Sequence, residues 1–253
     1  KLKPLKDDFM NFYGSQHSIS QLSFSVNDSA ANKTFEQCYE KQDVLGEGGF
    51  AIVYRCFHYE RMHTYAVKEI LDDNYECEGE NLKEEIDSLK RLREVPYIVR
   101  LMDVFYEPGV CYVVMEEMRG GDLLDRLCEI EVFQEPEARK LSRRLLEAIY
   151  YCHRKHIVHR DIKPENILMT SKENNYSFKL GDFGCSRRFE PGKLCLYTLC
   201  GSPQYVAPEL YTHENGYDER CDWWSAAIVM YVILGGYAPF DGEDHELPSI
   251  ICE

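Results

Sequence analysis

His159-Arg160-Asp161-Ile162-Lys163-Pro164-Glu165-Asn166 sets a carboxylate, an amine and a carboxamide at short, fixed spacing between two apolar segments. Phosphoryl transfer requires these groups: one to orient an attacking hydroxyl, a cation for the moving phosphate, and an oxygen ligand for a metal. Such chemistry also needs a phosphate-binding loop, a paired lysine and a second metal ligand. The flanking sequence offers candidates for all of them.

Composition sets the frame. The chain has 253 residues, 44% of them hydrophobic, enough for one large core or two smaller ones. A net charge of −15 argues against nonspecific attraction to nucleic acid or anionic membrane and favours cationic peptide partners. The 11 cysteines are scattered, without CxxC and His clusters, and read as reduced thiols in the cytoplasm or nucleus rather than a disulfide scaffold or zinc site. Cys195 and Cys200 are close enough in sequence to approach each other in a loop, with free thiols the blander reading. The longest apolar run, Trp223 to Leu234, is too short for a bilayer span of about 20 residues and reads as a buried core helix. No secretory signal is visible, and the chain begins at Lys1 rather than Met, as a fragment or processed chain would. Residues 1–34, rich in Ser, Asn and Gln, read as a flexible flank able to dock through Phe9, Phe12 and Tyr13. Asn32-Lys33-Thr34 fits a glycosylation sequon that the cysteine usage marks as accidental.

Between Phe35 and Met115 the pattern predicts strands around one helix. Alternating, β-rich segments occur at Ala51–Phe57, Thr64–Ile70 and Val110–Met115. Leu82, Ile86, Leu89 and Leu92 recur at helical spacing between them. After Gly120-Gly121 the pattern turns helical, with Pro136 in a first turn and Ala138, Leu141, Leu145, Ile149 and Cys152 as the buried stripe. A short strand pair and a long loop separate the opening stretch from the apolar helix. The expectation is an α+β chain in two lobes, 35–115 and 122–253, joined by a hinge at 116–121, with a cleft between them.

Gly46-Glu47-Gly48-Gly49-Phe50-Ala51 follows Val44-Leu45 and precedes a strand. Its glycines allow backbone amides to approach phosphate oxygens, although a Gly cluster between strands is by itself more often a hairpin turn. Lys68 ends the apolar strand Tyr65-Ala66-Val67, where an ammonium facing the cleft must be paired. A lone strand-end lysine is more commonly solvated. Glu84 and Glu85 are neighbours about 100° apart on the helix, so only one faces the cleft squarely. Glu85 has the phase of Leu89; Glu84, with Lys90, Arg91 and Arg93, reads as solvated face. Gly181-Asp182-Phe183-Gly184 follows the strand Phe178-Lys179-Leu180, and Asp182 there suits Mg²⁺, a hard cation.

On these motifs residues 37–253 resemble a eukaryotic protein kinase. The resemblance implies a two-lobed fold: a small β-rich N-lobe with one regulatory helix and a larger, mainly helical C-lobe. It further implies that Lys68 holds ATP phosphates and pairs with Glu85, that Asp161 orients the substrate hydroxyl, and that Lys163 neutralises the γ-phosphoryl group. Asn166 and Asp182 would hold Mg²⁺, and Leu45 through Ala51 would cover the phosphates. Ala51 stands where the family pattern has its third glycine. Val53, Ala66 and Leu168 match the positions that sandwich adenine, Glu116 and Met118 the hinge, and Met115 the gatekeeper. Leu89, Leu101, His159 and Phe183 match the stacked apolar column of an active kinase. Lys163 is the serine/threonine-kinase choice, and Phe35 to Glu40 with Arg55-Cys56 looks most like the calcium/calmodulin-dependent group. Asp122 and Glu165, with Ser202, fall on the substrate side, where carboxylates would receive an arginine of a basic protein or peptide. Asp122 also has the chemistry of a helix cap. Thr198 sits at the usual phosphorylation position for an upstream activating kinase, with Arg160 and Arg187 as expected phosphate partners.

Two alternatives accompany this reading. One is a nucleotide-binding pseudokinase or scaffold, whose usual mark is loss of the lysine, the catalytic Asp or the metal Asp. The other is a fragment impaired because the lobe stops at Glu253, leaving Glu209 without its usual arginine. Ala227 also replaces a family glycine in Asp222-Trp223-Trp224-Ser225-Ala226-Ala227.

Overall fold

The computed structural model describes residues 33–48, 51–71, 78–212 and 216–253. Phe9, Phe12, Tyr13, Asn32, Gly49 and Phe50 lie outside the described residues. The first element is a short helix, α1 (Phe35–Cys38), preceded by Thr34, whose N–H donates to Gln37 Oε1 at 3.0 Å. Phe35 stacks on Tyr112 with ring centroids 4.4 Å apart and meets Phe105 edge-on, which seats α1 on the sheet.

The sheet is antiparallel, with strands β1 (Tyr39–Glu47), β2 (Ala51–His58), β3 (His63–Leu71), β4 (Leu101–Glu107) and β5 (Val110–Glu116) in the order β1-β2-β3-β5-β4. β2, β3 and β5 are the segments the alternation predicts. β1 and β4 are additional, and each hides for its own reason. β1 is almost wholly exposed beyond Tyr39, so it carries no apolar rhythm. β4 buries Asp103 among its inward residues, where Tyr39 Oη donates to it and Arg61 Nη1 bonds it at 2.8 Å. A carboxylate at a core position is tolerated only with such partners, and they come from distant sequence.

Helix α2 (Glu78–Leu92) turns Ile86, Leu89 and Leu92 into the core, with Leu82 packed at its edge. The helical region contains α3 (Leu123–Ile130), α4 (Glu135–Arg154), α5 (Pro208–Tyr211), α6 (Cys221–Gly235) and α7 (Leu247–Cys252). α4 buries all five residues of its predicted stripe. α6 is apolar all round, yet only Ala226, Ile228, Val229 and Ile233 among its aliphatic residues are buried. Ala227, Tyr231 and Leu234 are exposed, so its opposite side faces outward, contrary to the expectation of a fully buried helix. The methyl of Ala227 is accommodated there without a core neighbour to displace. No helix among the described residues is long and apolar enough to cross a membrane.

Two small ladders lie within the helical half: β6 (Ile157–Val158) with β9 (Arg187–Arg188), and β7 (Ile167–Met169) with β8 (Phe178–Leu180). One continuous core runs from Ile70, Leu89 and Leu101 above to Leu145, Phe183 and Val229 below. The connection at Gly120 is flush against β7: a Cβ there would lie 2.6 Å from that of Met169 and 2.7 Å from two carbonyl oxygens. Only glycine lets the chain pass so close.

Candidate active site

A cleft of about 830 Å³ opens between the sheet and the helical region. Leu45, Gly46, Glu47, Gly48 and Ala51 form its roof, and the Gly48 amide donates to Ala51 O at 2.9 Å. Val53 lines it from β2, Ala66 from β3 and Met115 from β5; Ala66 and Met115 are register partners. Leu168 closes the slot from β7 below, giving an apolar gap suited to a flat ring. Glu116 and Met118 lie at its back edge. The Glu116 amide donates to Arg100 O at 3.0 Å, and its carboxylate binds Lys179 and the Arg100 amide.

Deeper in the cleft, Lys68 Nζ lies 2.7 Å from Glu85 Oε1 and 3.3 Å from Asp182 Oδ1. Burial would lower the lysine's pKa, but the two carboxylates outweigh it and hold it above the ordinary lysine value. Burial likewise opposes ionisation of Asp182, and Lys68 with His159 more than offsets it, leaving Asp182 below the usual carboxylate range. Glu85 is 5% exposed and faces the cleft as its helical phase predicts. Glu84 departs from its expected solvated role: its Oε2 is buried with no hydrogen-bond partner among the described residues. α2 is fastened twice more to the segment after Asp182, by Ser88 Oγ with Ser186 Oγ at 2.9 Å and by Asn81 with Arg187.

The catalytic stretch follows β6 and is gripped from beneath by Asp222, which is fully buried. Asp222 Oδ2 accepts from the His159 amide at 2.9 Å and Oδ1 from the Arg160 amide at 2.8 Å, while His153 Nε2 lies 2.8 Å from Oδ2. Burial pushes the Asp222 carboxyl up, and the bonds and charges of His153 and His159 reverse this, holding it below the usual range. Arg160 adopts φ +70° and Asp182 φ +49°, a strained region for residues with side chains. His159 meets Phe183 edge-on with centroids 4.7 Å apart, and with Leu89 and Leu101 both are buried as the column expects.

Asp161 receives donors on both oxygens. Ser202 N and Oγ each reach Oδ1 at 3.0 Å; Asn166 Nδ2 reaches Oδ2 at 3.0 Å and the Asp161 carbonyl at 2.7 Å; Lys163 Nζ lies 3.3 Å from Oδ2. Lys163 also donates to Ser202 Oγ at 2.8 Å. Ser202, read from sequence as a substrate contact, thus bonds the Asp161 carboxylate directly. Asn166 commits its nitrogen to Asp161, which turns its oxygen to the other side. That oxygen and the Asp182 carboxylate make an all-oxygen donor pair fitting a hard cation such as Mg²⁺.

Asp122 caps α3, accepting from the Asp125 amide at 2.8 Å, and with Glu165 it lines the mouth of the cleft. Burial raises the Asp122 pKa, against the opposing pull of the Asp125 amide bond. Thr198 is exposed, and its carbonyl accepts from Tyr217 Oη at 2.6 Å. Arg160 reaches the same hydroxyl at 2.9 Å, whereas Arg187 points to α2 through Asn81. The structure therefore brings Arg160, and not Arg187, to the Thr198 turn. Cys195 and Cys200 are free thiols, the blander of the two readings of their proximity in sequence. Asp222 and Tyr217 are the functional residues the sequence reading passed over. A charged residue opening the most apolar helix was the signal available for Asp222.

The protein kinase domain model matches residues 39–252. The chain belongs to the protein kinase family, and its relatives make it a serine/threonine kinase domain akin to the calcium/calmodulin-dependent group. It is 40% identical over 212 residues to myosin light chain kinase A of Dictyostelium discoideum, covering 82% of this chain and 70% of that protein. It is 38% identical over 226 residues to the liver/testis phosphorylase b kinase gamma catalytic chain of Homo sapiens, covering 84% of this chain and 54% of that one. Calcium/calmodulin-dependent protein kinase type I of Schizosaccharomyces pombe is 37% identical over 233 residues, covering 89% and 69%. The chain thus spans about half the length of the human relative.

Asp222→Ala leaves the amides of His159 and Arg160 without an acceptor in the core, and urea denaturation should show a loss of about 3 kcal/mol. The folded-state pKa of Asp222 is depressed, so its contribution is present above the ordinary aspartate pKa and is lost as pH falls through the folded value. The stability gap between parent and variant should accordingly narrow in acid.

Proposed function

We propose that this chain transfers the γ-phosphoryl group of Mg-ATP to serine and threonine hydroxyls in basic sequence contexts, and that an upstream kinase raises its activity through Thr198. The observation that carries the first part is the Asp161 carboxylate, held by Ser202, Asn166 and Lys163 at 3.0–3.3 Å beside a cleft containing the paired Lys68.

Kinase domains in general use ATP with Mg²⁺, which would supply neutralisation of phosphate charge. Asn166 and Asp182 would hold it. The chain's own residues supply the rest. Lys68, fixed by Glu85, orients the phosphates beneath the Gly46–Gly48 roof. Asp161 accepts a hydrogen bond from the acceptor hydroxyl and directs its oxygen at phosphorus. Lys163, a flexible ammonium bonded to both Asp161 and Ser202, lies where charge builds on the transferring group. Ser202 keeps Asp161 in one orientation, so the geometry is set before substrate arrives.

The basic preference is supported by Asp122 and Glu165 at the cleft mouth and by the net charge of −15. Protein substrates are in keeping with the similarity to myosin light chain kinase A. Arg160, beside the Thr198 turn through Tyr217, supports the regulatory role. None of the described cysteines is disulfide-bonded, which suits the reducing cytoplasm or nucleus.

With Mg-ATP and an arginine-containing serine peptide, Asp161→Asn should cut turnover by roughly a hundredfold to ten-thousandfold while retaining nucleotide binding. Transfer at the parent rate would reject the assignment. Asp122→Asn keeps the helix cap but removes charge; together with Glu165→Gln it should raise KM for that peptide about tenfold at unchanged kcat. A peptide lacking arginine should show no such change. For Thr198→Ala, activity after treatment with an activating kinase should stay about tenfold below the treated parent. Equal activity would end the regulatory reading.

A further inference from the structure

The hinge opens with two carboxylates in a row, Glu116 and Glu117, and the fold gives them different partners. Glu116 bonds Lys179 of β8 and the Arg100 amide. Glu117 lines the cleft, and its side chain is only 5% exposed. A carboxylate so enclosed is tolerated only where donors meet it. Three do. Arg55 Nε of β2 reaches its Oε1 at 2.8 Å, Thr64 Oγ1 of β3 donates to Oε2 at 2.6 Å, and Arg119 Nε lies 3.2 Å from Oε2. The Thr64 hydroxyl in turn accepts from Arg119 Nη2 at 2.9 Å. Burial opposes the charge on Glu117, and the bonds from Thr64 and Arg55 outweigh it, leaving the carboxyl below its usual pKa.

Strand register shows what this cluster is placed to do. The β3–β5 ladder ends at Tyr65 opposite Glu116, and Thr64 with Glu117 is the next position along. There a side-chain bond takes over from the main chain and keeps the hinge against β3. Arg55 stands opposite Ala66, which lines the slot, and its Nη1 reaches Asp43 of β1 at 3.0 Å. The roof residues belong to the end of β1, the start of β2 and the turn between them. Both roof strands thus lead, through one guanidinium, to one hinge carboxylate. The Asp43 side chain is 79% exposed, so that outer arm adds little, and the enclosed Glu117 end carries the connection.

We infer that Glu117 is a positioning residue for the nucleotide, its bonds to Arg55 and Thr64 fixing the hinge edge against the strands that carry the roof. The inference rests on the phosphoryl-transfer reading of the cleft and assigns part of its nucleotide affinity to a residue outside the chemistry. A flat ring fills the gap between Ala66 and Leu168 well at only one separation of roof, hinge and floor. Tied together, hinge and roof strands present that separation before the nucleotide arrives. Released, they must be ordered by it, and the cost of ordering is subtracted from affinity. That cost falls on binding rather than on transfer. Asp161, Lys163, Asn166 and Ser202 lie in the helical half and are bonded to one another there, so a bound nucleotide meets the same groups. An interaction felt equally in the ground and transition states alters KM and leaves kcat.

The test measures Mg-ATP affinity by calorimetric titration of the full chain and, in parallel, transfer to an arginine-containing serine peptide. Glu117→Gln, which keeps size and removes charge, and Arg55→Met should each raise Kd and KM for ATP about tenfold, with kcat within about twofold. Their combination should fall well short of the roughly hundredfold loss that independent effects would give. Asp43→Asn, on the exposed arm, should stay within about twofold of the parent. Thr64→Val preserves shape and deletes one donor, so it reads the same connection, at about threefold, even where a Glu117 variant does not fold. A folded Glu117→Gln or Thr64→Val chain with the parent's Kd, a kcat that falls as far as KM rises, or a fully additive double variant would each overturn the inference. A parent that transfers phosphate, with variants that bind ATP equally well, rejects the positioning role alone. A parent that binds ATP but transfers nothing, with variants that bind more weakly, rejects the transfer reading alone. A parent that binds no ATP ends both.

Discussion

Lys68 carries a full positive charge into the interior of the cleft, and its side chain is only 17% exposed. An unpaired ammonium there would cost several kcal/mol, so the state described depends on carboxylates arriving from elsewhere. They come from two sources: Glu85 on α2 and Asp182 at the end of β8. Three elements that share no local sequence are thereby held to one point. The Ser88–Ser186 and Asn81–Arg187 contacts lie on the same two elements, so α2 and the activation segment move together or not at all. Breaking the Lys68 pair would strand a charge and loosen both.

Asp222 applies the same logic with the sign reversed. A fully buried anion opens the most apolar helix and is satisfied by two backbone amides and a histidine. Those amides belong to His159 and Arg160, so α6 fixes the backbone immediately before Asp161. The positive φ at Arg160 is sustained by bonds on both sides of it, to Asp222 and to Cys185 O. Strain held this way is a means of keeping a catalytic loop in one conformation without substrate.

Legibility in the sequence followed the range of the interactions. The catalytic stretch, Lys68 with Glu85, the α4 stripe and strands β2, β3 and β5 are encoded in local patterns of type and period, and all could be read. β4 was obscured because Asp103 occupies a core position, and its partners Tyr39 and Arg61 lie about 40–60 residues away, beyond any window of periodicity. β1 lacked rhythm because one tyrosine carries most of its burial. Glu84 illustrates the limit of phase arguments: being turned from the cleft does not place a side chain in water.

Arg160 is where the structural and regulatory arguments meet. Its amide is held by Asp222, its Nε by Cys185 O, and its Nη1 by Tyr217, whose hydroxyl also binds the Thr198 carbonyl. A guanidinium has a fixed fork of donors, so a new anion at Thr198 must redistribute bonds already in place, and those bonds end on atoms next to Asp161.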